Sequence, residues 1–258
     1  MGIPVKRLER LALPLVAFVV LVAAWQVVSW LGVFPPTLLP PPVAVAGGVW
    51  ELWKQGVLLE HIGTSLYRFA AGYSLAVALG IPLGLITGWY WRLEVALDPF
   101  IQVFRPISPI AWIPLATLWF GIGDRPAIFI IFLASFFPVF LSSVAAVKNV
   151  DPLLLRVARN FGATEGQLLL KVVLPAVFPY IAVGLHMALG AAWIFLVAGE
   201  MIGLRSGLGY LIVDGRNQVR YDLVLASMLL IGTLGWAIDR AMRLAESRVI
   251  RRWGGARH

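Results

Sequence analysis

Few residues in this chain are equipped for covalent chemistry. Its 258 residues include no cysteine, which removes a thiolate nucleophile, a disulfide framework and a cysteine metal site. His61, His186 and His258 are far apart in the chain, so no zinc or iron centre is expected. No serine–histidine–aspartate set is legible. No phosphate loop of the G-x-x-x-x-G-K-S/T type occurs, so the chain itself is not expected to bind or hydrolyse ATP, or to act as an enzyme. What remains are polar and aromatic residues inside apolar runs, where an unsatisfied polar group is costly. Glu200, in VAGEMIG, suits either an ion pair with nearby Arg205 or a pathway or gating role. Arg105, in VFRPISPIAW, could attract an oxyanion with help from Ser108, or could snorkel to the membrane surface. His186, in GLHMALG, reads as a hydrogen-bonded packing residue or a ligand. Trp112, Trp119 and Trp193 read as aromatic constrictions or as packing and interface anchors. Arg68 is expected to snorkel outward.

The elements that must position these residues follow from composition. The chain is 60% hydrophobic and 13% charged, with mean hydropathy +0.87. A soluble domain is about 45–50% apolar and about 25% charged. The chain is therefore read as an all-α integral membrane protein, one transmembrane domain over 1–258. A bilayer core needs about 20 apolar residues per helix. Six segments qualify, at 11–31, 64–88, 99–121, 126–147, 176–201 and 222–241. The first is read as a retained span rather than a cleaved signal peptide, because no clear small-residue cleavage site follows it. The last is the shortest in its charge-free part and is flanked by Asp222 and Asp239.

Net charge is +8, and its placement sets orientation. With the N-terminus inside, 14 Lys and Arg residues fall in inside connections and 5 in outside ones, Arg68 and Arg105 completing the 21. Both termini and the loop around Arg156 are therefore expected on the cytoplasmic side. The basic balance belongs to membrane topology; without an aromatic-interleaved basic patch, no nucleic-acid partner is expected.

Within this frame several stretches carry more detail. Pro35, Pro36 and Pro40 to Pro42 forbid a continuous helix in the first outer loop, and a short interfacial helix with Trp50 and Trp53 is expected after them. Gly72, Ala76, Gly80, Gly84 and Gly88 form a four-residue stripe that admits a close neighbouring helix, with a kink expected at Pro82. Pro106, Pro109 and Pro114 make the third span irregular, which favours it as pathway-lining. Gly207 and Gly209 allow tight turns in the last outer loop.

The stretch RVARNFGATEGQLLLKVVLP, Arg156 to Pro175, separates two long apolar runs. Asp151-Pro152 is a helix start, an N-cap followed by proline at the first helical position. Gly162 should end that helix, and Thr164 with Gln167 has capping-box spacing for a second one. The expected product is a cytoplasmic helix–turn–helix with Arg156, Arg159 and Asn160 outward and Leu and Val inward. It could rest on anionic lipid or dock on a cytoplasmic partner.

This stretch resembles the cytoplasmic loop signature of binding-protein-dependent ABC importer permeases: Glu-Ala-Ala, three residues, Gly, nine residues, Ile, any residue, Leu-Pro. Here the glycine is Gly162, and nine residues later come Val172, Val173, Leu174 and Pro175. The first three positions are Arg156, Val157 and Ala158, so arginine stands where the family has glutamate. SLYRFAAGYSLAVALGIPLGLITG, FRPISPIAWIPLATLWFGIG, LPAVFPYIAVGLHMALGAAWIFLVAGEMIG and SGLGYLI are similar to the branch importing nitrate, sulfonates, taurine or bicarbonate. Permeases for thiamine precursors are similar too.

The resemblance implies a type I importer permease fold with six transmembrane helices, both ends inside, in the plasma (inner) membrane of a prokaryote. It implies that Arg156, Ala158, Arg159, Gly162, Ala163, Leu174 and Pro175 dock on a cytoplasmic ABC ATPase subunit that holds ATP and magnesium. The further partners it implies are a second copy of the chain, a periplasmic or lipid-anchored substrate-binding protein, and membrane lipid. The implied activity is alternating-access import of a small anion, sulfonate, taurine or nitrate-like. Import of a thiamine-precursor-like molecule is the alternative, as is a secondary transporter, which would need an acidic ion-coupling residue near a span centre. An intramembrane enzyme lacks a legible dyad, and a scaffold would not explain the loop spacing.

Overall fold

The computed structural model describes residues 3–252, with side chains described over 12–249. Lys6, Arg7, Arg10, Arg251, Arg252, Arg257 and His258 thus lie outside the described side chains. Among the described residues every regular element is a helix, and there are no strands. In chain order the helices are α1 (Ile3–Trp30), α2 (Pro42–Lys54), α3 (Val57–Trp89), α4 (Trp91–Phe104), α5 (Ile113–Phe120) and α6 (Asp124–Lys148). Then come α7 (Pro152–Asn160), a single turn α8 (Glu165–Gln167), α9 (Leu174–Glu200), α10 (Leu208–Asn217) and α11 (Tyr221–Arg252). A 3₁₀ turn, Pro109–Trp112, precedes α5, and a π-helical turn, Leu168–Val173, precedes α9.

Among the described residues, five helical segments are long and apolar enough to cross a membrane: Ala12–Trp30, Val57–Trp89, Asp124–Lys148, Glu165–Glu200 and Tyr221–Val249. A sixth crossing requires counting Trp91–Phe104 with Pro109–Phe120, and this pair is bent by 84°. The stretch 99–121 is therefore not one rod. Pro106 and Pro109 each remove an amide donor, and Ser108 is extended (φ −57°, ψ 132°), the conformation favoured before proline. The last helix also runs well past 241, so Asp239 lies within the helix, at the point where its charge-free stretch ends.

The chain divides into two compact units. The first holds residues 1–61 and 211–230. In it, Val45, Gly48 and Leu52 form the buried face of α2, and Gly48 abuts Leu223. Trp50 and Trp53 are exposed, as an interfacial helix requires. Arg220 donates to Glu51 at 2.7 Å and to Asp222 at 2.7 Å. The Arg220 guanidinium holds the Glu51 carboxyl below the usual carboxylate range.

The second unit, residues 62–210 and 231–258, contains the helix bundle. The glycine stripe of α3 faces α6. A Cβ on Gly72 would stand 2.7 Å from the Ile131 side chain, one on Gly84 2.6 Å from the Phe140 carbonyl, and one on Gly88 2.9 Å from the Val144 carbonyl. These two helices meet backbone to backbone, which only a residue without Cβ allows. Behind them, Val139, Val147, Val173, Val177, Ile181 and Leu185 form a core between α6 and α9.

Candidate functional site

Three features of the second unit bear on function. The first is the hairpin Asp151–Val173. The Leu153 amide donates to Asp151 Oδ1 at 2.8 Å, capping α7 at its start. Gly162 ends it with φ +78°, the Ala163 amide reaching back to the Ala158 carbonyl at 3.1 Å. The Thr164 amide donates to Gln167 Oε1 at 3.0 Å and the Gln167 amide to Thr164 Oγ1 at 3.4 Å, a complete capping box. Arg159 donates to Glu165 across the turn, and Trp89 Nε1 at the end of α3 donates to the same carboxylate. The hairpin is thus pinned to the bundle as one piece.

Its apolar side chains are placed differently from expectation. Leucine and valine do not all turn inward: Leu153, Leu154 and Val157 are exposed, and Phe161 is 87% exposed beside Gly162. Leu153, Leu154, Val157 and Phe161 fall on one side of α7 and form an open apolar strip, with Arg156 and Arg159 beside it. Ala158 and Ala163 are half-buried. Leu174 and Pro175 open α9, behind the π-helical turn, and are half-buried there.

The second feature is a cavity of about 770 Å³ between the broken α4–α5 segment, α6 and α9. Arg105, Trp112 and Trp119 line it, with Phe104, Phe129, Phe137, Met187 and Phe195. Arg105 is the one charged residue on its wall among the described residues. Trp112 stacks on Phe104 and meets Trp119 and Phe129, so the wall is a continuous aromatic surface. Ser108 sits at the break, next to the lining residue Pro109.

The remaining pathway candidates lie elsewhere. Trp193 is buried against Phe69 and donates to the Ile231 carbonyl at 3.1 Å. His186 pairs with Asp239 of α11 at 2.5 Å. Glu200 does not pair with Arg205. It is 1% exposed and accepts from Arg68 Nη1 at 2.8 Å, from Ser65 Oγ at 2.8 Å and from the Gly209 amide at 2.9 Å.

That pairing is the third feature. Arg68, also 1% exposed, does not snorkel: its Nε donates to Asp124 at 2.8 Å, and its other nitrogens bond the Ser206 carbonyl and hydroxyl at 2.7 Å. A buried guanidinium is tolerated because every side of it meets an acceptor. Gly207 (φ +106°) is required by the carboxylate and Gly209 by the end of α9: a Cβ on Gly207 would strike the Glu200 carboxyl group, and one on Gly209 would lie 2.6 Å from the Val197 carbonyl. The glycines of SGLGYLI thus close a loop over a buried charge, and only Gly207 serves by its turn geometry. Charged residues inside apolar segments usually satisfy one another, but which two meet here is set by the fold.

Comparison with known proteins adds the family. The model of the family described as "Binding-protein-dependent transport system inner membrane component" matches residues 80–251. The Bacillus subtilis (strain 168) protein SsuC, named for aliphatic sulfonates transport as a permease protein, is 37% identical over 90% of this chain and 84% of its own length. The taurine transport system permease protein TauC of Escherichia coli (strain K12) is 34% identical over 93% of this chain and 90% of its own. Among solved structures, a chain of the MetNI methionine ABC transporter in an inward-facing conformation superposes with TM-score 0.63 at 18% identity, covering 76% of this chain and 96% of that one. The bundle therefore has the fold of a type I importer permease.

Proposed function

The chain belongs to the family of binding-protein-dependent transport system inner membrane components, the permeases of ABC importers, and from that membership we propose that it forms the route by which an ATP-driven importer moves a small anion across the membrane. Two copies enclose the route, and each docks through Asp151–Lys171 on an ATPase subunit that holds ATP and magnesium. ATP binding draws the ATPases together, the hairpins move with them, and the bundle alternates between inward and outward access as rigid bodies. An external binding protein delivers the substrate. Arg156, Ala158, Arg159, Gly162 and Ala163 form the docking surface, with Leu174 and Pro175 anchoring it to α9.

The observation that carries this reading is the open apolar strip of Leu153, Leu154, Val157 and Phe161 on a hairpin otherwise fixed by two caps and by Trp89. A rigid, partly apolar knob flanked by arginines suits a groove on a protein partner. An anionic cargo is supported by Arg105 as the charged group of an aromatic cavity. A sulfonate or taurine combines a small anionic head with a short carbon stem, and both surfaces are present there.

The test is co-purification of this chain with a candidate ABC ATPase subunit, then ATP turnover and uptake of labelled taurine in vesicles with a candidate binding protein. Gly162→Trp forces a bulky residue into left-handed backbone at the tip, where its β-carbon meets nothing within 4 Å. Loss of the complex and of coupled turnover, with helical content unchanged, is expected. Retained complex and turnover would assign the hairpin to the lipid surface and remove the docking reading.

A further inference from the structure

Inside the bundle, away from the cavity, one cluster of titratable groups is left unused by the transport reading. His186 of α9 presents both ring nitrogens to carboxylates of α11: Nε2 lies 2.5 Å from Asp239 Oδ1, and Nδ1 lies 3.8 Å from Glu246 Oε2. Arg243, one turn beyond Asp239, pairs with that same Asp239 carboxylate. From α3, Tyr73 is the titratable group next to the cluster, and its hydroxyl donates to the Leu185 carbonyl, one residue before His186. From α6 nothing charged arrives, because Asp124, Arg125 and Lys148 stand at its ends. Glu246 Oε1 is buried without a hydrogen-bond partner among the described residues.

The arrangement is one proton short of satisfaction in one state and complete in the other. A neutral imidazole donates from a single nitrogen and offers a lone pair at the other. Flanked by two ionised carboxylates, the lone-pair side faces repulsion. One added proton, on the ring or on Glu246, converts that contact into a charge-assisted or hydroxyl hydrogen bond. Ionisable groups packed between apolar helices are costly unless they satisfy one another.

We propose that His186, Asp239 and Glu246 form a proton-binding site whose occupancy sets how firmly the second half of α11 is joined to α9. With the proton bound, both carboxylates are bridged by the ring, and the stretch 239–249 is held to α9. Without it, only one bridge remains and that stretch loosens. Because α9 follows directly on the π-helical turn and the hairpin, the site can tune how movement at one end of α9 reaches the rest of the bundle. The ligand is the proton itself, and the site serves regulation rather than cargo.

The experiment uses the full chain in lipid nanodiscs, with His61 and His258 replaced by Gln so that one histidine remains. Ring-nitrogen NMR of ¹⁵N-histidine, recorded across a pH series, reports the proton on His186. Amide exchange over 239–249, corrected for the intrinsic pH dependence of exchange, reports the helix contact. The expected result is a loss of protection by about tenfold or more as the ring gives up its proton, the size of one hydrogen bond to a charged group. Glu246→Gln leaves a carboxylate on one nitrogen only, and protection should then no longer follow the ring titration. Protection that stays constant in the unmodified site while His186 titrates would overturn the proposal. So would a pH response in Glu246→Gln equal to that of the native site.

Discussion

Arg68 and Glu200, 132 positions apart in the chain, meet at 2.8 Å with neither side chain more than 2% exposed. Around them Ser65, Asp124, Ser206 and the amides of Leu208 and Gly209 complete the hydrogen bonding. One ion pair thereby joins α3, the start of α6, the end of α9 and the start of α10.

Removing one member leaves the other buried and uncompensated. Arg68→Ala or Glu200→Ala should each cost about 3–5 kcal/mol, whereas replacing both with apolar residues of similar volume should cost clearly less than the sum. Thermal unfolding of the purified single and double variants measures the coupling. Strict additivity would mean that the two charges do not depend on each other.

On α3, glycine positions differ sharply in what they tolerate. Gly84→Ala puts a methyl group against the Phe140 carbonyl of α6 and should destabilise by about 1–3 kcal/mol. Gly63, on the same helix, has nothing within 4 Å, so Gly63→Ala should be neutral or stabilise by about 0.5–1 kcal/mol through helix propensity alone. Unfolding temperatures of the two variants side by side decide the matter, and equal effects would contradict the packing.

If Arg105 holds the anionic head of the cargo, Arg105→Gln should lower taurine uptake by about tenfold or more, and Arg105→Lys by less. ATP turnover stimulated by the binding protein should persist in both, because Arg105 lies on the cavity and not on the hairpin. Uptake unchanged in Arg105→Gln would take the anion off this residue.

The contact between α2 and Arg220 should respond to acid. Arg220 keeps the Glu51 carboxyl below its ordinary range, so the contribution of this pair is present above the ordinary carboxylate pKa, about 4.3. It is lost as pH falls through the lowered value in the folded protein. Amide exchange over 43–54 should therefore be flat with pH near neutrality and accelerate in acid, after correction for intrinsic rates. Glu51→Gln should abolish that acid step.

How much of this was legible in the sequence depends on the range of the interaction. The hairpin was readable in detail because its determinants are local: Asp151 with Pro152, Gly162, and Thr164 with Gln167 all act within a few residues. The stripe from Gly72 to Gly88 announced a close helix contact, although not that α6 supplies it. The break after Arg105 was foreshadowed by Pro106 and Pro109, but proline content alone does not give an 84° bend. Arg68 with Glu200, and His186 with Asp239, were hidden because each partner looks solitary on its own helix. Only the folded bundle brings them to hydrogen-bond distance. The exposed Phe161 was missed for the opposite reason: an amphipathic pattern shows which side is apolar, and is silent on whether anything covers it.

The π-helical turn at Leu168–Val173 fixes a compass bearing. The Leu174 amide bonds the Leu169 carbonyl, five residues back, so the chain carries more residues through this turn than an α-helix would. Each residue of an α-helix advances the azimuth by about 100°. Losing a single residue here, such as the exposed Leu170, would restore the ordinary ladder and swing Phe161 and its arginine neighbours about the α9 axis by roughly that angle. The direction in which the hairpin faces is thus set by phase, by the excess winding of one turn, as much as by the side chains it displays.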